Sequence, residues 1–169
     1  VTRTTDAADL LHGVRVADPY RWLEDAQNAE VQAWTEAQSK RTRAYFDSLP
    51  FRAPLRATLE TLVKQASPRY FGLDAAGGQL FAVYLDPKFQ QPMIVVMGQD
   101  ADPTKARVVL DPNKLDPTGG TSFDWFVPSP DGERIAVSLS KGGSEDGSLH
   151  VFDVATGRQV GEAIPRVQY

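Results

Sequence analysis

Cysteine is absent from the 169 residues, which excludes disulfides, thiolate nucleophiles and cysteine-ligated zinc while leaving the compartment open. Histidine is nearly absent too. His12 and His150 are the only two, and neither has an acidic or second histidine neighbour at metal-ligand spacing, so each reads as a packed or solvent-facing imidazole and not as a ligand or base. Long apolar runs are missing: none, residues 81–85 and 93–97 included, approaches the ~20 residues a membrane helix requires. Basic excess is missing as well. With 18 Lys and Arg against 22 Asp and Glu, a net charge of −4, and no basic stripe, the composition argues against nucleic-acid or membrane partners. The chain reads as soluble, cytoplasmic or periplasmic. It opens on Val1 with no signal-like apolar stretch behind it, as a processed or shortened chain would.

Catalytic patterns are equally sparse. No Gly-x-Ser-x-Gly elbow occurs, and Ser144, between Gly143 and Glu145, lacks the strand-then-helix setting that exposes a nucleophile. Gly119-Gly120 and Gly142-Gly143 do not bridge a strand and a helix, so phosphate cradling is unsupported. The acidic loop Ser144-Glu145-Asp146-Gly147-Ser148 lacks the alternating oxygen ligands of a calcium loop and reads as a hairpin tip. Asp100 and Asp102 read as turn residues. No cofactor or metal is expected, and no catalytic residue is assigned in this chain.

What is present centres on Asp18-Pro19-Tyr20-Arg21-Trp22-Leu23-Glu24-Asp25. Asp18 followed by Pro19 is a helix-start signal, since a carboxylate can accept orphan backbone N–H groups and proline is harmless at the first helical position. Tyr20, Trp22 and Leu23 then form an apolar plug that needs a pocket. Residues 1–15 are polar and weakly patterned and read as an extended arm leading into the octapeptide. Beyond it, Asn28 caps a predicted helix to about Ser48, with Val31, Trp34, Gln38, Thr42, Tyr45 and Leu49 at three- and four-residue steps as a core-facing stripe. Glu36 and Lys40 stand at the favourable i, i+4 order. After Pro50, Pro54 opens a second helix carrying Leu55, Leu59, Leu62 and Val63, until Ser67-Pro68 ends the pattern. Two helices and a plug make a poor core, so their apolar faces require cover from elsewhere.

From Tyr70 the period changes to two and a repeat emerges. Gly77-Gly78 leads into residues 79–85, and Asp131-Gly132 leads into residues 133–139. Residues 93–97 answer 149–154, and 106–110 answer 159–164. Ser129-Pro130-Asp131-Gly132 is a well-formed turn, and residues 153–157 supply another of hairpin type. Repeats of this length with a few short antiparallel strands fit β-propeller blades better than a sandwich. Residues 166–169 look like the start of a third blade, so the chain reads as the beginning of a larger protein. In isolation it is expected to fold poorly or to associate through open strand edges.

The octapeptide, placed just after His12-Gly13, resembles the N-terminal signature of the prolyl oligopeptidase family of serine peptidases. Leu11 stands where the family usually has an aromatic residue. Leu110-Asp111-Pro112-Asn113, Ser129-Pro130-Asp131-Gly132, Ser138-Leu139-Ser140 and Gly142-Gly143-Ser144-Glu145 resemble segments of its first two blades. Glu24, where oligopeptidase B tends to have arginine, tilts the resemblance toward the prolyl branch.

The resemblance implies a seven-bladed propeller covering an α/β-hydrolase domain with a Ser-Asp-His triad. The chain itself would be α+β: residues 1–69 an arm and helices that brace the hydrolase domain, and 70–169 blades 1 and 2. Triad and proline pocket would lie beyond Tyr169. The expected partners are an oligopeptide substrate and the remainder of the same polypeptide. The function implied is cleavage of short peptides after proline. The alternatives are a non-enzymatic propeller binding module or an oligopeptidase B-like peptidase.

Overall fold

The computed structural model describes residues 1–167, and the chain divides into two compact units, Val1–Thr58 and Leu59–Tyr169. The first unit begins with strands β1 (Ala8–Leu11) and β2 (Val14–Ala17), paired antiparallel with Leu11 opposite Val14. The extended arm expected over residues 1–15 is therefore only partly correct. His12 and Gly13 both take positive φ, 51° and 81°, which is the two-residue turn whose twist matches a hairpin. Apolar residues on either side of His12-Gly13 were the available signal.

The octapeptide forms a single 3-10 turn over Arg21–Leu23, preceded by Tyr20 with no side-chain cap. Asp18 thus departs from its expected capping role. Its backbone carbonyl accepts from the Arg21 N–H, but its carboxylate accepts from Arg21 Nε at 3.0 Å, because a guanidinium within reach outcompetes a weakly formed turn for the charge. Helix α1 (Ala29–Asp47) follows, with the Asn28 side chain accepting from Glu30 N–H as the sequence predicts. Its expected stripe is buried only in the first half: Val31 is 6% exposed, whereas Tyr45 is 63% exposed. Helix α2 spans Arg52–Gln65, two residues earlier than proline placement suggested. Pro54 is tolerated there because first-turn N–H groups have no intrahelical partner anyway.

The second unit carries two antiparallel meanders, β3-β4-β5-β6 and β7-β8-β9-β10. The first comprises β3 (Arg69–Ala76), β4 (Gln79–Leu85), β5 (Met93–Met97) and β6 (Arg107–Leu110). The second comprises β7 (Thr121–Pro128), β8 (Arg134–Lys141), β9 (Ser148–Asp153) and β10 (Ile164–Pro165). A one-turn helix, α3 (Pro112–Leu115), lies between them, with Asp111 accepting from Asn113 N–H. The repeat read from the sequence maps onto β4/β8 and β5/β9. Its last pair needs correction: in residues 159–164 only a Phe152–Gln159 bridge precedes β10, since Gly161 turns the backbone at φ 74°. Of residues 166–169, Gln168 and Tyr169 lie outside the described residues, and Val167 N–H donates to Gly147 O at 2.9 Å.

Strands β4, β5, β8 and β9 put Phe81, Ile94, Val96, Ile135, Val137 and Phe152 into one cluster shared by the two meanders. Phe81, Ile94, Ile135 and Val137 are fully buried, each contributing roughly 2–3 kcal/mol of transfer free energy. A second layer of Ala82, Val95 and Met97 lies under Tyr70 and Tyr84, whose rings meet across β3 and β4, tilted at 38° with centroids 4.9 Å apart. Both first strands are bulged, β3 between Phe71 and Asp74 and β7 between Phe123 and Trp125.

Candidate functional site

The octapeptide residues do not fill a pocket. Tyr20 is 49% exposed, and Trp22 instead meets Trp34 of α1 edge to face, centroids 6.4 Å apart and planes at 82°, a geometry the ring quadrupoles favour. The Trp22 indole N–H donates to the Arg3 carbonyl at 2.9 Å and the Trp34 indole N–H to Thr2 Oγ1 at 3.2 Å. The Arg3 guanidinium lies 4.5 Å from the Trp22 ring centroid and reaches both Glu30 carboxylate oxygens, at 2.8 and 3.0 Å. None of these partners of Trp22 was foreseen. Arg3 and Glu30 are 27 residues apart, and no local pattern announces such a pair.

Arg21 ties the octapeptide to the hairpin. Its two terminal nitrogens reach both carboxylate oxygens of Asp9, at 3.0 and 2.5 Å, while Nε holds Asp18. Hydrogen bonding from Arg21 holds the Asp9 carboxyl below its usual range, and hydrogen bonds to Asp9 and then Asp18 raise the Arg21 pKa. Leu23 is half-buried, and Glu24 and Asp25 are exposed, with Asp25 Oδ1 accepting from Gln27 N–H. Pro19 offers its carbonyl to Thr5 N–H at 2.9 Å. The contacts of Asp18, Pro19, Arg21, Trp22 and Asp25 thus fall on residues 3–34 of the same unit.

In the second unit, turns interlock the two meanders. Gly77 N–H donates to Pro130 O at 3.1 Å, Gln79 Nε2 to Gly132 O at 3.1 Å, and Arg107 Nη1 to Val154 O at 2.5 Å. Gly77 has φ 55°, and a Cβ there would collide with the Asp131 carbonyl. The β7 bulge turns Asp124 onto a buried polar cluster, where Ser138 and Ser140 hydroxyls donate to its two oxygens at 2.9 and 2.7 Å.

The turn assignments of Asp100 and Asp102 hold: Asp102 caps a short turn through Thr104 N–H, and Asp100 pairs with Lys105. Ser144 lies in the loop between β8 and β9. A cleft of about 610 Å³ opens on the second meander beside Asp116, Lys141, Asp146, His150 and Gln159. Its histidine is engaged with Gln159 Oε1 at 2.9 Å and not with a serine, so it offers no activated nucleophile. Among the described residues no group of three or more His, Cys, Asp or Glu could hold a metal ion, and no helix is long and apolar enough to cross a membrane.

Comparison with known proteins extends this reading. The profile of the prolyl oligopeptidase N-terminal beta-propeller domain matches residues 1–169. Prolyl endopeptidases of Elizabethkingia meningoseptica and Elizabethkingia miricola are 30% and 29% identical over 99% of the chain, which spans 23% of each. A solved structure from a mechanistic study of two prolyl endopeptidases superposes with a TM-score of 0.81 at 30% identity, over 98% of this chain and 24% of the other. Prolyl oligopeptidase B from Galerina marginata, bound to a 25mer macrocyclization substrate, superposes at 0.72 over the whole chain and 26% of its own length; at 20% identity this likeness concerns the fold alone.

Proposed function

The chain belongs to the prolyl oligopeptidase family as its N-terminal β-propeller portion, and from that premise we propose that it is the non-catalytic front end of a serine-type oligopeptidase that cleaves short peptides after proline. Serine attack assisted by histidine, stabilisation of the tetrahedral oxyanion and hydrolysis of the acyl-enzyme would be performed by residues outside this chain. Residues 70–169 form the first two blades of a propeller that admits peptides and excludes folded proteins by size. Residues 1–69 brace an α/β-hydrolase domain.

The match along the full chain to the family's N-terminal portion is the observation that supports this reading most. The exposed apolar side chains fit it. Leu55, Leu59, Leu62 and Val63 of α2 are 52–61% exposed, and Leu10, Leu11, Val14 and Val16 of the hairpin 46–74%. Apolar surface on this scale marks an interaction face, and a free-standing binding propeller has no use for it. The test is fluorophosphonate labelling of the native polypeptide followed by intact-mass spectrometry and assay on proline-containing peptides. One label on a polypeptide containing this segment, with cleavage after proline, is the expected result. Absence of both label and cleavage refutes the peptidase.

A further inference from the structure

Residues 2–5 belong to no helix or strand, yet they are fastened at three positions. Thr5 donates its N–H to Pro19 O at 2.9 Å. Arg3 makes three contacts: its guanidinium over Trp22, its nitrogens forked on Glu30, its carbonyl accepting from the Trp22 indole. Thr2 Oγ1 accepts from the Trp34 indole. We propose that Trp22, Glu30 and Trp34 form a seat for an arginine-bearing peptide segment, occupied in cis by residues 2–5, and that this strap fastens the hairpin and octapeptide to the start of α1.

The chemistry of the seat is selective. An aromatic face beside a carboxylate that both guanidinium nitrogens can reach suits arginine and not lysine, because an ammonium has neither a planar face to stack nor a fork to match the carboxylate. Indole N–H groups are donors only, so both tryptophans need acceptors, and the strap provides a carbonyl and a hydroxyl at the required places. The anchors join the strap to two elements: Trp22 to the octapeptide, Glu30 and Trp34 to α1. The arginine and glutamate side chains are 48% and 56% exposed, so the fastening is releasable and lies at the low-stability end of local opening.

The test uses the full-length polypeptide with Arg3→Ala and Arg3→Lys, read by hydrogen exchange and mass spectrometry. Exchange across residues 8–34 should rise about tenfold in Arg3→Ala, the combined weight of the stacked and forked contacts, and nearly as much in Arg3→Lys, with β4 unchanged. In a variant with residues 1–5 replaced by glycine and serine, acrylamide quenching of tryptophan emission should increase. Millimolar Val-Thr-Arg-Thr-Thr peptide should reverse that increase, and the same peptide with alanine for arginine should not. Unchanged exchange over 8–34 in Arg3→Ala would overturn the strap. Wild-type behaviour of Arg3→Lys, or equal reversal by the two peptides, would overturn the guanidinium seat. Equal acceleration of β4 would reduce the effect to global destabilisation and overturn the proposal.

Discussion

The two meanders and the two helices handle apolar side chains in opposite ways. In β4, β5 and β8, Phe81, Ile94, Ile135 and Val137 are fully buried, whereas every leucine of α2 is more than half exposed. Strand pairing explains the first. Neighbouring meanders pair their own backbone and press one face on the other, so their core closes within a short length of chain. A lone amphipathic helix has no such recourse. It satisfies its own backbone but cannot cover its own stripe, and its stability depends on what is packed against it. Burial thus marks the part of this chain whose apolar side chains are covered by its own strands, and exposure the part whose apolar side chains are not.

Substitutions should break this contrast in graded fashion. Truncation of Phe81 to alanine removes the largest fully buried side chain and should cost about 3–5 kcal/mol in chemical denaturation of the full-length polypeptide. Gly77→Ala should follow, at about 2–4 kcal/mol, because it meets both a positive φ and the Asp131 carbonyl. A wild-type stability there would show that the two turns can separate freely. Leu59→Ala sharpens the comparison most. With the bracing proposed above, it should cost about 2 kcal/mol in the full-length polypeptide and almost nothing in an isolated α1–α2 peptide. Equal small effects in both would mean that the face is never buried.

Smaller effects are expected at the polar contacts. Arg21→Ala releases Asp9 and Asp18 together, and faster hydrogen exchange in β1 and β2 with unchanged exchange in β8 is the expected result. Acid should loosen the blade turns as well. Asp102, Asp116, Asp131 and Asp153 have lowered pKa values, each first through a side-chain hydroxyl, from Thr104, Thr118, Ser129 and Thr156. Groups lowered in the folded state contribute stability that is fully present above the unfolded carboxylate value of about 4 and is lost as pH falls through the folded value. Near-ultraviolet circular dichroism between pH 6 and 2 should therefore hold steady to about pH 4 and decline below it. Asp131→Asn should flatten that decline while lowering stability at pH 6.

Much of the fold was legible because it rests on local chemistry. Asn28 capping α1 and the Ser129-Pro130-Asp131-Gly132 turn are decided by residues within a few positions of one another. So are the alternating runs of β4 and β8, whose periodicity survives any surroundings. The octapeptide was legible as a signature, though not in its contacts. Its Asp18 was expected on backbone N–H groups, yet Arg21, three residues on, takes the carboxylate. The hairpin around His12-Gly13 escaped notice since its strands are short and mixed in polarity.

By itself, then, the sequence determined the places of α1, α2, β4, β5, β8 and β9, that the strands repeat, and which family the chain resembles, since each follows from neighbouring residues or a contiguous motif. Only tertiary structure decided what Trp22 and Trp34 touch, why position 77 must be glycine, and which hydroxyls meet Asp124. Those contacts join residues 12 to 54 positions apart, and at that separation the partner is chosen by how the chain closes in space, which no local pattern encodes.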